Sequence, residues 1–194
     1  PKKSQVIELV SADLATQSGQ DLLVERIQQV VKTINLVVHN ASLFYPSAFS
    51  EVKRDAMQEM LAVNLIAPYF ITQGLLKLLA SSHTPSVINI VDAMWERPSP
   101  HYSHYAVSKA GLTILTRALA NELAPTIRVN AIAPGAIIFP AFHGNEIQEQ
   151  TLSRIPQKKI GNPSDIAQAV LFLDGATYAT GEILVIDGGR SIMA

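Results

Sequence analysis

Short apolar runs, each too brief for a helix, alternate along this chain with longer segments whose apolar residues return at helical spacing. "INLVVHNAS", "SVINIV", "IRVNAIA" and "EILVID" are the runs. Their lack of regular polar alternation marks strands buried on both faces, as in a parallel sheet. Between them, residues 19–34 carry Leu22, Leu23, Ile27, Val30, Val31 and Ile34 on a helical period, and residues 55–79 and 103–123 predict two long helices. A shorter helix is expected over 147–154, and "NPSDIAQAVLFL" opens with the proline and serine of a helix start. "QVIELV", Gln5 to Val10, reads as one more strand at the beginning. Alternation at this spacing builds βαβ units, hence an α/β fold: a doubly wound parallel sheet with helices on both faces. No repeat or low-complexity linker divides residues 1–194, so one domain is expected.

Such a sheet gathers function at the carboxyl ends of its strands. Here those ends are polar: Asp13 beyond the first run, then Asn40, Asp92 and the Pro134-Gly135 turn. Composition limits what the site can be. Cysteine is absent, which excludes disulfides, thiolate metal ligands and a cysteine nucleophile. His39, His101, His104 and His143 fall at no metal-ligand spacing, so no metal is expected. A formal net charge of -1 provides no field to attract nucleic acid or an anionic membrane. Only 16% of residues are charged and 48% are hydrophobic, which favours large buried surfaces, subunit contacts included. "LAVNLIAPYFITQGLLKLLA", Leu61 to Ala80, has the length of a membrane span, but Asn64, Pro68, Gln73 and Lys77 make it a buried helix instead. "PKKSQ" leads into no apolar stretch of signal-peptide kind, and a cytoplasmic location fits the sequence.

Tyr105 and Lys109, at i and i+4 of a predicted helix, share one face. A phenol with a pKa of about 10 is a poor acid at neutral pH. An adjacent ammonium lowers that value and eases proton exchange with an alcohol or imine. Tyr102 has Ala106 in the equivalent place and lacks such a partner. Taken alone, a Tyr/Lys pair is more often an ordinary solvated pair on a helix surface.

Order along the chain changes that reading. "HNAS" closes one strand, Asn64 sits in the next helix, Asp92 follows the next strand, and "YAVSK" opens the helix after it. "RVNAIAPG" and "TGEILVIDGG" then follow. The ordered set closely resembles the short-chain dehydrogenase/reductase family over nearly the whole chain. The resemblance implies a Rossmann-like fold, with Tyr105 as proton donor and Lys109 binding the nicotinamide ribose while tuning Tyr105. It implies further that Asn64 holds a water of the proton relay, and that Asn40 and Ala41 line the cofactor groove. Asp13 would lie near the adenine, and Pro134 and Gly135 would let backbone approach the nicotinamide. Leu14, Ser42 and Ile137 complete the expected cofactor contacts.

Asp92 departs from the family's usual serine, which donates a hydrogen bond to a substrate carbonyl. An aspartate suits a proton relay to a nitrogen-containing substrate. Within the family, pteridine reductases resemble this departure, Asp and then Tyr-x-x-x-Lys. They also resemble "NASLFYP", which supplies Phe44 as a flat partner for a pterin ring. "PGAIIFP" is similar to theirs too, with Phe139 in place of the threonine of the commoner family pattern. That replacement removes one expected hydroxyl contact to the cofactor. The implied reaction is hydride transfer from NADPH to a pterin C=N bond, dihydro to tetrahydro, with Tyr105, Lys109 and Asp92 supplying protons. A homotetramer is also implied, and the two long apolar helices fit it.

The family's glycine-rich phosphate turn is not in the sequence, and "PKKSQVIELVSADLA" resembles the third strand and its exit. A βαβ start of about 30 residues is therefore expected upstream. The residue that selects NADPH over NADH lies in such a stretch. Other readings stay open at this level. Asp13 suits a turn or a helix cap, and Asn40 and Asn64 suit structural hydrogen bonds. Phe44 suits a core, and Asp92 an ion pair with Arg97 or Lys109. A reductase of 3-oxoacyl or sugar carbonyls is the competing enzyme, and a catalytically silent family member the competing non-enzyme.

Overall fold

The computed structural model describes residues 7–193. Strands β1 (Leu36–His39), β2 (Ser86–Ile90), β3 (Arg128–Pro134) and β4 (Ile183–Ile186) form a parallel sheet in the order β1-β2-β3-β4. Val37 lies abreast of Val87, and Val87 of Val129. Strand residues alternate between the two faces, and each face is covered by helix, so both sets must be apolar. On one side, Val87 and Val129 meet Ala67, Ile71, Leu75 and Leu79 of α3 (Ala67–Ala80) and Ala120 of α4 (Ser103–Leu123). The helix α1 (Gln17–Val30) packs alongside α3 through Leu23, Val24 and Ile27. On the other side, Ile88 and Ile132 meet Ala169 and Leu173 of α6 (Pro163–Gly175).

Local chemistry sets the helix ends. Thr16 caps α1 by accepting from the Gly19 amide, and α6 starts with Pro163 inside a capping box formed by Asn162 and Asp165. Buried Asn130 interrupts the apolar run of β3 for a reason. Its amide donates to Ala179 O at 2.9 Å and accepts from Glu182 N at 3.0 Å, which sets the entry to β4.

The helix predicted over 55–79 runs from Arg54 to Ala80 but is not uniform. Between α2 (Arg54–Leu61) and α3, residues Ala62–Ile66 form a π turn that contains Asn64. By length and composition this helix could cross a membrane, with a mean hydropathy of 1.3 in its most apolar window. Its buried stripe, Ala67, Ile71, Leu75 and Leu79, nevertheless lies in the core beside β2 and β3.

Two expectations change. Of the strand expected over Gln5 to Val10, residues 7–10 take no regular structure, and Gln5 and Val6 lie outside the described residues. A strand exists only through a ladder partner, and none of the described strands pairs with this run. Ile7 and Leu9 are accordingly 74% and 91% exposed. The helix expected to reach Ile34 stops at Val30, where Val31 is extended. The β-branched cluster Val30, Val31, Thr33 and Ile34 favours that change, and Ile34 N donates to Leu78 O at 3.0 Å on the way into β1. The helix expected over 147–154 is α5 (Asn145–Ser153).

Candidate active site

Three segments meet beyond the carboxyl ends of β2 and β3. Backbone pairing continues past the strands: Val91 N donates to Ile132 O at 2.8 Å, and Ala93 N to Pro134 O at 3.0 Å. Asp92 is thereby held between two anchored residues. Its Oδ1 accepts from Met94 N at 2.6 Å, and its Oδ2 accepts the Tyr105 hydroxyl at 2.8 Å. Tyr105 and Lys109 share a face of α4 as their spacing predicts. The Lys109 ammonium donates to Ile90 O at 2.8 Å and lies 6.0 Å from the centre of the Tyr105 ring.

This arrangement reverses one expectation. The Tyr105 pKa is raised, not lowered. Burial, followed by the charge of Asp92 and its hydrogen bond, holds the phenol well above its ordinary value. The group bonded to the hydroxyl is a carboxylate, while the ammonium is turned to a backbone carbonyl. Burial lowers Lys109 to about 8 against the opposing pull of Asp92. No ion pair ties Asp92 to Arg97 or Lys109 among the described residues. Arg97 instead donates to Ser191 O at 3.3 Å and Met193 O at 3.2 Å.

Asn64 lies beneath this pair, fully enclosed. Its Oδ1 accepts from Leu43 N at 2.8 Å, and its Nδ2 donates to Leu43 O at 3.0 Å and Ser108 Oγ at 2.9 Å. Ser108 Oγ donates in turn to Tyr105 O at 2.7 Å. The π turn delivers a short amide to this depth, and one side chain then joins the loop after β1 to the turn of α4 that carries Tyr105. Asn64→Ala strands the Leu43 backbone groups and is expected to cost about 3 kcal/mol. Denaturant unfolding measures the cost; a loss below about 1 kcal/mol would contradict this bridging role.

Phe44 reaches the site from the loop after β1. Tyr102 stacks on it at 4.8 Å between ring centres and 10° between planes, and Tyr105 meets it at 4.7 Å and 76°. The Tyr102 hydroxyl lies 3.1 Å from His143 Nε2, and the His143 ring meets Phe142 edge-on at 4.9 Å. The space over Phe44 thus accepts a planar ring at stacking distance, and in this structure the ring is Tyr102. A cleft of about 680 Å³ opens here and brings together Phe44, Asp92, Tyr105, Lys109, Gly135 and Ile137.

The remaining candidate residues lie elsewhere. Pro134 ends β3 and accepts from Ala93 N. Asn40, Ala41 and Ser42 are exposed beyond β1. Asp13 folds into a turn, its Oδ1 accepting Ala15 N at 2.9 Å, and Leu14 packs on the core while its carbonyl accepts from Gln20 at 2.8 Å. Tyr102, set aside for want of a lysine partner, His143, weighed only as a metal ligand, and Ser108 also belong to the site. Ser108 stands three residues after Tyr105 on α4, and Tyr102 three residues before it at the N-cap, a spacing that signals neighbours; His143 carries no such local signal.

The donor set suits a nicotinamide ribose. An ammonium has three hydrogens, Ile90 takes one, and Lys109 lines the open cleft.

Comparison with known proteins agrees with this geometry. The family model described as enoyl-(acyl carrier protein) reductase matches residues 2–191. A 3-oxoacyl-(acyl-carrier-protein) reductase of Thermotoga maritima is 34% identical over 88% of this chain and 71% of its own length. A dihydromonapterin reductase of Citrobacter koseri is 30% identical over 94% of this chain and 77% of its own. The solved SCOR enzyme from Clostridium thermocellum has a TM-score of 0.83 at 31% identity, covering 94% of this chain and 72% of that one. The chain belongs to the short-chain dehydrogenase/reductase family and is an oxidoreductase with the Rossmann-like doubly wound fold of that family.

Proposed function

We propose that the protein reduces a pterin, taking a dihydropterin to the tetrahydro form with hydride from NADPH. The observation that carries this reading is the 2.8 Å hydrogen bond from Tyr105 to Asp92 in the wall of an aromatic cleft. An ionised carboxylate accepts hydrogen bonds and donates none. Asp92 therefore suits a ring that offers N–H groups, as a pterin does. It gives nothing to the lone oxygen of a ketone, which a serine at this position would serve. Phe44 supplies the stacking wall, and a pterin laid on it takes the face that Tyr102 covers, releasing Tyr102 from His143.

A bound nicotinamide supplies the hydride in this family's chemistry. Lys109 would hold the ribose hydroxyls with its free hydrogens, and Gly135 and Ile137 would border the nicotinamide. Asn40, Ala41, Ser42, Asp13 and Leu14 continue the cofactor path on the β1 side. As hydride reaches the carbon of C=N, the nitrogen becomes basic and takes a proton from the Tyr105–Asp92 pair. Tyr105 carries its proton at neutral pH and its raised pKa holds that proton more tightly, so transfer waits for the strongly basic nitrogen that hydride addition creates. The Lys109 ammonium offsets the negative charge left behind, and solvent in the open cleft returns the proton. This role requires Lys109 in its charged form. Turnover is therefore expected to decline as pH rises through about 8; a pH profile flat to about 10 would remove the Lys109 charge from the mechanism.

Assembly as a homotetramer belongs to the same reading. Tyr69 and Phe70 on α3, Val107 and Ile114 on α4, and Leu171 and Phe172 on α6 are large apolar residues left exposed in the single chain. A cytoplasmic location completes it.

The 34% identity to a 3-oxoacyl reductase favours a second reading, reduction of a carbonyl thioester. The two are separated by following oxidation of the reduced nicotinamide with a dihydropterin and an acetoacetyl thioester side by side. Oxidation that depends on the dihydropterin supports the first. Oxidation with the thioester alone would keep Tyr105 and Lys109 in place and discard the pterin.

A further inference from the structure

The lining of the cleft has two characters. One part is aromatic and holds the Asp92–Tyr105 pair. Another comes from a single face of α5 and its cap, where Ile147, Gln150, Thr151 and Arg154 recur at i, i+3, i+4 and i+7. Arg190, just beyond β4, lines the same cleft.

Charge in this lining is one-sided. Among its described residues Asp92 is the sole acid, and each of its oxygens accepts one hydrogen bond, from the Met94 amide and from Tyr105, with acceptor capacity left for a ligand. Lys109, Arg154 and Arg190 oppose it. Within a chain of net charge -1, such a local excess of positive charge concentrates the field in the cleft. Neither guanidinium has an ion-pair partner among the described residues, where the one pair is Arg26 with Glu8. Asp187, three residues before Arg190, accepts from Gly189 N at 2.8 Å and Ser191 N at 2.6 Å. Arg97 clamps the carbonyls of Ser191 and Met193, which ties down the segment that carries Arg190.

The position of the two arginines separates them from the expected cofactor path. Arg154 belongs to the connection between β3 and β4, and Arg190 follows β4, at one edge of the sheet. Asp13 and Asn40 flank β1, at the other edge.

We infer that Arg154 and Arg190 form a subsite for an anionic tail on the substrate. The inference rests on the pterin reading and sharpens it: the substrate is a dihydropterin whose side chain ends in a carboxylate or a phosphate. A guanidinium fork pairs with either anion through two parallel N–H bonds, while Phe44 and Asp92 address the uncharged ring.

The test uses the full chain with NADPH and three dihydropterins, with uncharged hydroxyalkyl, carboxylate-ended and phosphate-ended tails. A KM about tenfold or more lower for a charged tail is expected, and the better of the two anions identifies the source. That preference shrinks as salt is raised, because the cleft is open to solvent. The salt series is read on the unaltered protein and does not depend on how a variant folds. Substituting both arginines, Arg154→Gln with Arg190→Gln, brings the KM ratio of charged to uncharged tails toward one. Equal KM values for all three tails in the unaltered protein would overturn the subsite and leave the pterin reading standing. A raised KM for NADPH in the double variant would assign the arginines to the cofactor's phosphates and overturn the tail site. Turnover of none of the three would overturn the pterin reading itself, and the inference with it.

Discussion

Tyr105→Phe is expected to lower turnover about a thousandfold while NADPH still binds. The substitution removes one oxygen and keeps the ring that meets Phe44 at 4.7 Å, so packing around the site survives. The loss falls on the proton. With no hydroxyl, Asp92 has nothing to hold a proton against, and the nitrogen made basic by hydride must draw on bulk water. Cofactor binding, followed by the fluorescence of the reduced nicotinamide, separates this loss from a collapse of the site. Turnover within a few-fold of the unaltered enzyme would take Tyr105 out of the chemistry.

Asp92→Asn carries the second large effect, about a hundredfold in turnover of a dihydropterin. The amide matches the carboxyl in shape and still accepts from the Met94 amide, so the turn after β2 is kept. Two properties change together. The negative charge that helps to hold the Tyr105 phenol up disappears, and the group facing Tyr105 becomes a donor in place of an acceptor. A substrate that offers N–H groups loses its partner, whereas a carbonyl oxygen gains one. An acetoacetyl thioester should therefore suffer less than the dihydropterin from this substitution. Equal losses on both substrates would make the charge of Asp92 incidental to substrate choice.

Much of this architecture was legible in the sequence because its signals are local. β2 and β3 show as apolar runs because helices cover both faces of the sheet, and Tyr105 and Lys109 show as a pair because a helix brings i and i+4 together. The polar strand ends converge because parallel strands share a direction. The failures are equally physical. Gln5 to Val10 has the composition of a strand, but composition does not provide a ladder partner. The π turn at Ala62–Ile66 leaves no periodic trace, yet it sets the depth of Asn64. The direction of the Tyr105 shift is set by burial first and then by Asp92, thirteen residues away, while the Lys109 ammonium turns to Ile90 O. Tyr102 on Phe44 and His143 beside Tyr102 are contacts between segments far apart in the chain, with no spacing to announce them. The face of α5 that leads to Arg154 carries a helical period, Ile147, Gln150, Thr151 and Arg154, although only the cleft gives that face a meaning.

The most direct test of the account follows the hydride itself. The full chain is given nicotinamide cofactor deuterated at the transferable position, with a dihydropterin and an acetoacetyl thioester in competition, and both products are examined by mass spectrometry and NMR. Deuterium on the pterin ring carbon beside the newly protonated nitrogen is the predicted result. Deuterium on the alcohol carbon of a hydroxyacyl product, with the dihydropterin recovered unchanged, would contradict it.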